Sequence, residues 1–301
     1  MGELIPLFPL GNPLFPGVVL PLQVFEPRYR RLIADLVALP ESSRRRSFGV
    51  VAIRQGWEVE RVAPAEALFD VGCTAVLRAV TPQSDGGYRV VTVGGDRFRL
   101  LDVVVGDDPP YLQAEVEWLG EEEAAEEAAG DAEGLTSTDP AGDPHAEEVV
   151  SSVARGSMDV LVRSVSDLFA RYVTEVAVLR GGLGGGIGAD TEEEAELLEE
   201  LGLGGDLDGG AGVDGDAAEA LSAETAAMLR QVGDDARALS YLVASAALLT
   251  TEDRQALLAE SATRRRLAAE SRLLRRELTL LRELGAVPAP LQQFAGPLTP
   301  N

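Results

Sequence analysis

The chain contains no lysine. All 26 basic residues among its 301 are arginines. A lysine-bearing phosphate loop, a lysine Schiff base and a Ser-Lys dyad are therefore excluded from this chain. Histidine is almost as scarce: the single His145 lies in an acidic, alanine- and glycine-rich tract. A Ser-His-Asp triad would have to draw its base from that tract. The single cysteine, Cys73, rules out an intrachain disulfide. It follows Val71-Gly72 inside an apolar run and reads as a buried structural thiol. A zinc site would need this one Cys, this one His and carboxylates distant in sequence. Carboxylates abound, but none stands in an apolar context that would separate the pKa values of a pair. No catalytic, cofactor-binding or metal-ligating residue is expected, and the chain reads as a non-enzyme. No apolar run approaches the ~18 residues of a membrane helix. The start carries Glu3 and no basic region, unlike a secretory signal. A cytoplasmic location is expected.

The residues that are present are unevenly distributed. Hydrophobic residues make up 46% of the chain, enough for a sizeable core, while the net charge is −24. Residues 119–155 hold 11 acids and one base, and residues 181–216 hold 11 acids and no base. Outside these two tracts the chain is close to neutral. Their Gly, Ala, Glu and Asp cannot bury enough apolar surface to offset the entropy of ordering, so both read as disordered insertions. Thr191 followed by Glu192–Glu194 marks one short helix, Thr191 to Leu201, within the second. This charge disfavours nucleic acid and anionic membrane as partners.

Residues 1–118 carry short apolar runs punctuated by Gly, Pro and Asp turns. Strands are expected over Ile5–Leu10, Val18–Phe25, Phe48–Arg54, Glu58–Val62, Gly72–Thr81, Tyr88–Val93, Arg97–Val105 and Tyr111–Trp118. Pro27 is suited to open a helix, and Tyr29, Leu32, Ile33 and Leu36 follow at helical spacing. Arg28 is expected to fix that helix start through a carboxylate or a carbonyl. The other prolines of this stretch, Pro6, Pro9, Pro13, Pro16 and Pro21, are expected at strand ends, edges and turns, where no ladder hydrogen bond is lost. From Met158 the period changes to that of amphipathic helices. One is expected over 158–179, one or two more over 221–243, and a long one from the cap at Thr251 to Gly285.

The segments PLFPL at 6–10, LFPG at 14–17, LPLQVFEPRY at 20–29, FGVV at 48–51, VGC at 71–73, GGYRVVTVGGDRFRL at 86–100 and PYLQAEVEWL at 110–119 come in order. DRQALLAE at 253–260 and RRLAAESRLLRRELTLLREL at 265–284 follow them. This series resembles the Lon protease N-terminal (substrate-binding) domain family, in its stand-alone form without ATPase and protease domains. The resemblance implies an α+β fold: an N-terminal PUA-like pseudo-β-barrel with one helix, followed by a C-terminal helical bundle. The expected division is a barrel subdomain at 1–118, the acidic insertion at 119–155 and a first bundle helix at 156–180. A Gly/acidic insertion at 181–216, a helical subdomain at 217–287 and a tail at 288–301 complete it.

The other candidate motifs are weak. Gly210 to Gly215 matches G-x-G-x-x-G, but no strand precedes it and four aspartates surround it. The arginine triplets 44–46 and 264–266 read as a solvated loop and a helix surface. Phe8, Phe15, Phe25 and Tyr29 are the candidate polypeptide-binding residues, since binding unfolded chains needs exposed apolar surface beside strand edges. What the resemblance implies is a non-catalytic protein that binds polypeptide segments, as substrate-recognition module, adaptor or holdase. Its partners would be unfolded or misfolded polypeptide, or a protease or chaperone. Two other readings are a small-molecule sensor with its pocket between barrel and bundle, and an acidic scaffold.

Overall fold

The computed structural model describes residues 2–40, 43, 45–54, 67–106, 108–120, 144–182, 229, 232 and 235–285. The strand expected at 58–62, the helix at 191–201 and the acidic residues 121–143 and 183–216 lie outside these.

The architecture is α+β, with six strands first and helices at the C-terminal end. The strands are β1 (Glu3–Leu10), β2 (Val19–Val24), β3 (Ser47–Ala52), β4 (Val71–Pro82), β5 (Tyr88–Val104) and β6 (Gln113–Trp118). Helix α1 (Pro27–Val37) lies between β2 and β3; α2 (Pro144–Gly182), α3 (Ala236–Ala246), α4 (Thr251–Ala259) and α5 (Thr263–Leu284) follow the sheet. The strand order is β2-β5-β4-β3-β1-β6, and β5 also pairs with β6. That last pairing closes β1, β3, β4, β5 and β6 into a ring and leaves β2 appended to β5. Among the described strands, only β1 and β3 pair in parallel.

Two expected strands, over 88–93 and 97–105, are one strand of 17 residues. Gly94-Gly95 reads as a turn in sequence but serves close backbone approach. A Cβ on Gly94 would collide with the Phe15 carbonyl oxygen, and one on Gly95 would lie 2.6 Å from Thr74 Oγ1. Opposite Gly94, Gly17 adopts φ 78°. Gly17 N–H donates to the Gly94 carbonyl at 2.8 Å, and Gly94 N–H donates to the Val18 carbonyl at 2.8 Å. This is a G1-type β-bulge at the entrance to β2, which bends that segment and raises its twist. Strand β5 has irregularities of its own, an extra residue between Gly94 and Arg97 opposite β4 and another between Leu100 and Asp102 opposite β6; its first half pairs with β2 and its second half with β6.

The prolines fit this ladder. Pro6 and Pro9 both lie inside β1. The Ile53 N–H donates to the Leu10 carbonyl, so even residues of β1 face β3, and Leu7 N–H donates to Leu112 on the β6 side. Pro6 faces β3 just before their register begins at Leu7, and Pro9 faces β6 after that pairing has ended at Pro6. Neither removes a ladder bond.

The main core joins Phe8, Phe48, Val50 and Cys73 of the strands to Tyr29, Leu32, Ile33 and Leu36 of α1. A side chain of this kind contributes about 1.5–3 kcal/mol when fully buried. Tyr241 and Ala244 of α3, with Leu257 and Leu258 of α4, complete the same cluster. A second cluster gathers Leu7, Val51, Phe98, Leu112 and Val116. Residues 1–165 and 234–273 form one compact unit, and residues 166–233 with 274–301 form another. The segment expected as a helical subdomain is thus shared between the two. In the second unit, Arg282 of α5 pairs with Glu175 of α2 at 2.9 Å.

Helix ends follow their caps. Asp235 accepts from the N–H groups of Arg237 and Ala238 at 3.0 Å to start α3. The Thr250 hydroxyl accepts from Asp253 N–H at 3.1 Å to start α4, one residue before the expected cap. Helix α2 begins at Pro144, well inside the tract expected to be disordered. Proline is preorganised for a first helical turn. The long helix expected from Thr251 to Gly285 is two helices. Between them, Glu260 turns out of the helical conformation with ψ 115°. Its carboxylate accepts from Ala262 N–H at 3.0 Å and from Arg265 Nε at 3.0 Å.

Candidate functional site

Burial separates the four aromatic residues singled out in sequence. Phe8 stacks on Tyr29 with ring centroids 4.0 Å apart and meets Phe48 at 5.6 Å. Phe15 is buried beside Tyr241 of α3, at 6.2 Å. Burial pushes the Tyr29 phenol up to about 12. These three residues are core, and a polypeptide at the surface does not reach them. Phe25 differs: it is 70% exposed, directly after β2. Arg28 pairs with the Glu26 carboxylate at 2.8 Å and lies 4.7 Å from the Tyr29 ring centre, fixing the start of α1 as expected.

Phe25 terminates a distinctive edge. Every strand of the ring has two strand neighbours, whereas β2 has only β5 among the described residues. Side chains alternate between faces along a strand. Leu20, Leu22 and Val24 turn to the main core. Val19, Pro21 and Gln23 are exposed on the other face. Register aligns them with Val93, Val91 and Arg89 of β5, and beyond these with Val76, Ala79 and Thr81 of β4. The outer face of this three-stranded region is therefore mostly apolar, with Arg89 at one end. Val19 is 50% exposed.

Where α4 meets α5, two arginines hold the chain. Arg97 of β5 is 2% exposed, and its Nη1 donates to the carbonyls of Leu258 at 2.8 Å and Glu260 at 3.2 Å. A cation at a helix C-terminus is favourable, and the two N–H groups of the one terminal nitrogen serve both acceptors. Arg266 donates to the same Glu260 carbonyl and to Ser240 Oγ, and its guanidinium lies 4.0 Å from the Tyr241 ring centre. This corrects the reading of 264–266 as a helix surface, because Arg266 is fully buried. Gln255 Nε2 donates to the Val71 carbonyl at 2.8 Å, a further tie between α4 and the barrel. Beside these ties an open groove of about 490 Å³ runs between α4 and α5. Its floor is Ala256, Leu257, Ala269 and Leu273, and Arg265 and Arg272 stand on its α5 side.

One carboxyl group contradicts the sequence reading. Glu270 is 1% exposed, and neither carboxyl oxygen has a hydrogen-bond partner. Burial raises its pKa well above the usual carboxylate value, with Arg266 opposing. The helical period places position 270 on the buried stripe of α5 with Leu267 and Leu274, a signal already present in the sequence. Cys73 is buried as expected; its thiol is pushed up to about 12 by burial. Among the described residues, no group of three or more His, Cys, Asp or Glu is placed to hold a metal. No described helix is long and apolar enough to cross a membrane.

The family described as the ATP-dependent protease La (LON) substrate-binding domain matches residues 4–276. This chain belongs to the Lon substrate-binding domain family. Lon protease 2 of Syntrophobacter fumaroxidans is 32% identical over 123 residues, covering 40% of this chain and 14% of that protein. Lon protease 1 of Herpetosiphon aurantiacus is 24% identical over 274 residues, 90% of this chain and 24% of that protein. The chain thus spans a quarter or less of the length of these relatives. Among solved structures, the N-terminal domain of Mycobacterium avium complex Lon protease aligns with a TM-score of 0.48 at 14% identity. It covers 90% of this chain and 98% of that one. The opening motif of the Lon substrate-binding domain resemblance, residues 5–29, supplies β1, the bulge, β2 and the start of α1. Most of its large apolar residues build the barrel, and Phe25 is the large aromatic it leaves at the surface.

Proposed function

We propose that this protein is a non-catalytic binder of polypeptide segments, presenting or holding unfolded chains for a protease or chaperone partner in the cytoplasm. Membership of a substrate-binding domain family supports the class of function. The observation that carries the reading is Phe25, an exposed aromatic ring directly after β2, the strand whose outer face presents Val19 and Pro21 in register with Val93 and Val91, with Gln23 and Arg89 at the Phe25 end. Exposed aromatic and aliphatic side chains next to a strand edge suit unfolded chains, which offer both apolar side chains and unpaired backbone. A lone, buried thiol is compatible with a reducing compartment.

The test is a fluorescence-anisotropy titration with a labelled, reduced and carboxymethylated lactalbumin, which stays unfolded. Saturable binding is expected, and Phe25→Ser weakens it while leaving the melting temperature unchanged. An unfolded probe that shows no saturable binding to the wild type overturns the reading.

A further inference from the structure

Closing the barrel leaves β2 as the strand with one neighbour among the described residues, and the bulge fixes which way its backbone points. Gly94 N–H donates to the Val18 carbonyl, so residue 18 faces β5. In an antiparallel ladder, residues bonded to one neighbour alternate with residues whose N–H and C=O point away from it. Residues 20, 22 and 24 therefore face β5 as well, in register with Thr92, Val90 and Tyr88. Val19, Pro21 and Gln23 direct their backbone groups outward. Pro21 is the one of these without an N–H. It costs no bond to β5 and removes the middle donor of the outer edge, a known device against uncontrolled edge pairing.

We infer that an extended segment of an unfolded polypeptide adds to this barrel as a strand alongside β2, with an acidic side chain near Arg89 and an apolar one near Phe25. The inference rests on the polypeptide-binding reading and specifies where and how that binding occurs. The edge offers carbonyls at Val19, Pro21 and Gln23 and N–H groups at Val19 and Gln23. A polypeptide backbone supplies the complementary donors and acceptors at the same spacing. Charge selects the occupant. Arg78 is exposed and Arg89 half-buried, and neither forms an ion pair among the described residues. Arg89 is in register with Gln23, so a residue placed opposite Gln23 lies two strand spacings from it, about 10 Å between backbones. An arginine and a glutamate or aspartate side chain can bridge that gap. A second copy of this chain is a poorer occupant, because its edge would bring a second Arg89 and a second Pro21 to the pairing.

The test uses the full chain and one unfolded polypeptide in two forms: lactalbumin with its cysteines carboxymethylated, which adds negative charge, or carboxamidomethylated, which does not. The wild type is expected to bind the carboxymethylated form more tightly, and Arg89→Gln to erase that preference. Gln23→Pro removes an outward N–H without touching the ladder to β5, and should weaken both probes about tenfold, as loss of one or two backbone bonds requires. Pro21→Val restores the missing donor and should tighten both. Should Gln23→Pro fail to fold, the gain in Pro21→Val decides. Wild-type affinity in both Gln23→Pro and Pro21→Val overturns the edge-strand inference and leaves polypeptide binding standing; a wild type that binds neither probe overturns both. A homodimer in sedimentation that Gln23→Pro dissociates would make a second copy the occupant and overturn the inference as stated.

Discussion

Replacing Arg97 with methionine tests how the barrel holds the α4–α5 turn. The side chain is 2% exposed and donates to two carbonyls, those of Leu258 and Glu260. Two effects oppose each other. A buried guanidinium carries a desolvation cost, which the shorter, apolar methionine removes. Against this, a hydrogen bond from a charged donor contributes about 1.5–3 kcal/mol, and a buried carbonyl left unpaired costs about 1–3 kcal/mol. Glu260 keeps Arg266 as a donor, so the Leu258 carbonyl bears most of the loss. The net destabilisation comes to about 2 kcal/mol. At roughly 2–4 °C per kcal/mol for a domain of 150–250 residues, the melting temperature falls by about 4–8 °C. Arg97→Lys keeps the charge at the helix terminus but on a shorter side chain with a more strongly hydrated group, and falls between wild type and Arg97→Met. Thermal unfolding followed by circular dichroism reads all three. A melting temperature for Arg97→Met equal to or above wild type would refute the reasoning, because desolvation would then outweigh the lost bonds.

Other outcomes follow from the same contacts. Glu270 has a folded-state pKa raised by burial, so its contribution to stability is complete below the ordinary carboxylate pKa and declines as pH rises toward the folded value. The decline is about 1.4 kcal/mol per pH unit within that window, and Glu270→Gln should abolish it; urea midpoints from pH 4 to 8 that run parallel for both proteins would contradict this. Gly72→Ala places a methyl group against the Phe98 ring and the Val50 carbonyl, and should cost about 1–3 kcal/mol in urea unfolding. The Cys73 thiol, buried and pushed up to about 12, should react with iodoacetamide only as fast as the core opens. Rapid labelling of the native protein would place it at the surface.

The barrel was legible because its signals are local. Alternating apolar runs, Gly-Pro turns and Pro27 before a helical stripe each act within a few residues. What was not legible depends on contacts distant in sequence. Gly94-Gly95 looks like a turn until the Phe15 carbonyl is placed against it. The break after Ala259 looks like continuous helix until Arg97, more than 160 residues earlier, meets the Leu258 carbonyl. Arg266 belongs to a triplet with the composition of a surface, and only its stacking on Tyr241 makes it core. The candidate site was legible in part. The segment Val18–Phe25 was marked, but Phe8, Phe15, Phe25 and Tyr29 have equal apolar weight in sequence. Only the fold separates three core rings from one exposed ring. The outward direction of residues 19, 21 and 23 follows from a bulge at Gly17 that pairs with a glycine far along the chain.

The most direct measurement is amide hydrogen exchange on the full chain, alone and saturated with carboxymethylated lactalbumin. The account predicts slowed exchange concentrated in residues 19–25, with the Val19 and Gln23 amides gaining the most protection. Protection confined to the groove between α4 and α5, or no change at β2 at saturating probe, would contradict it.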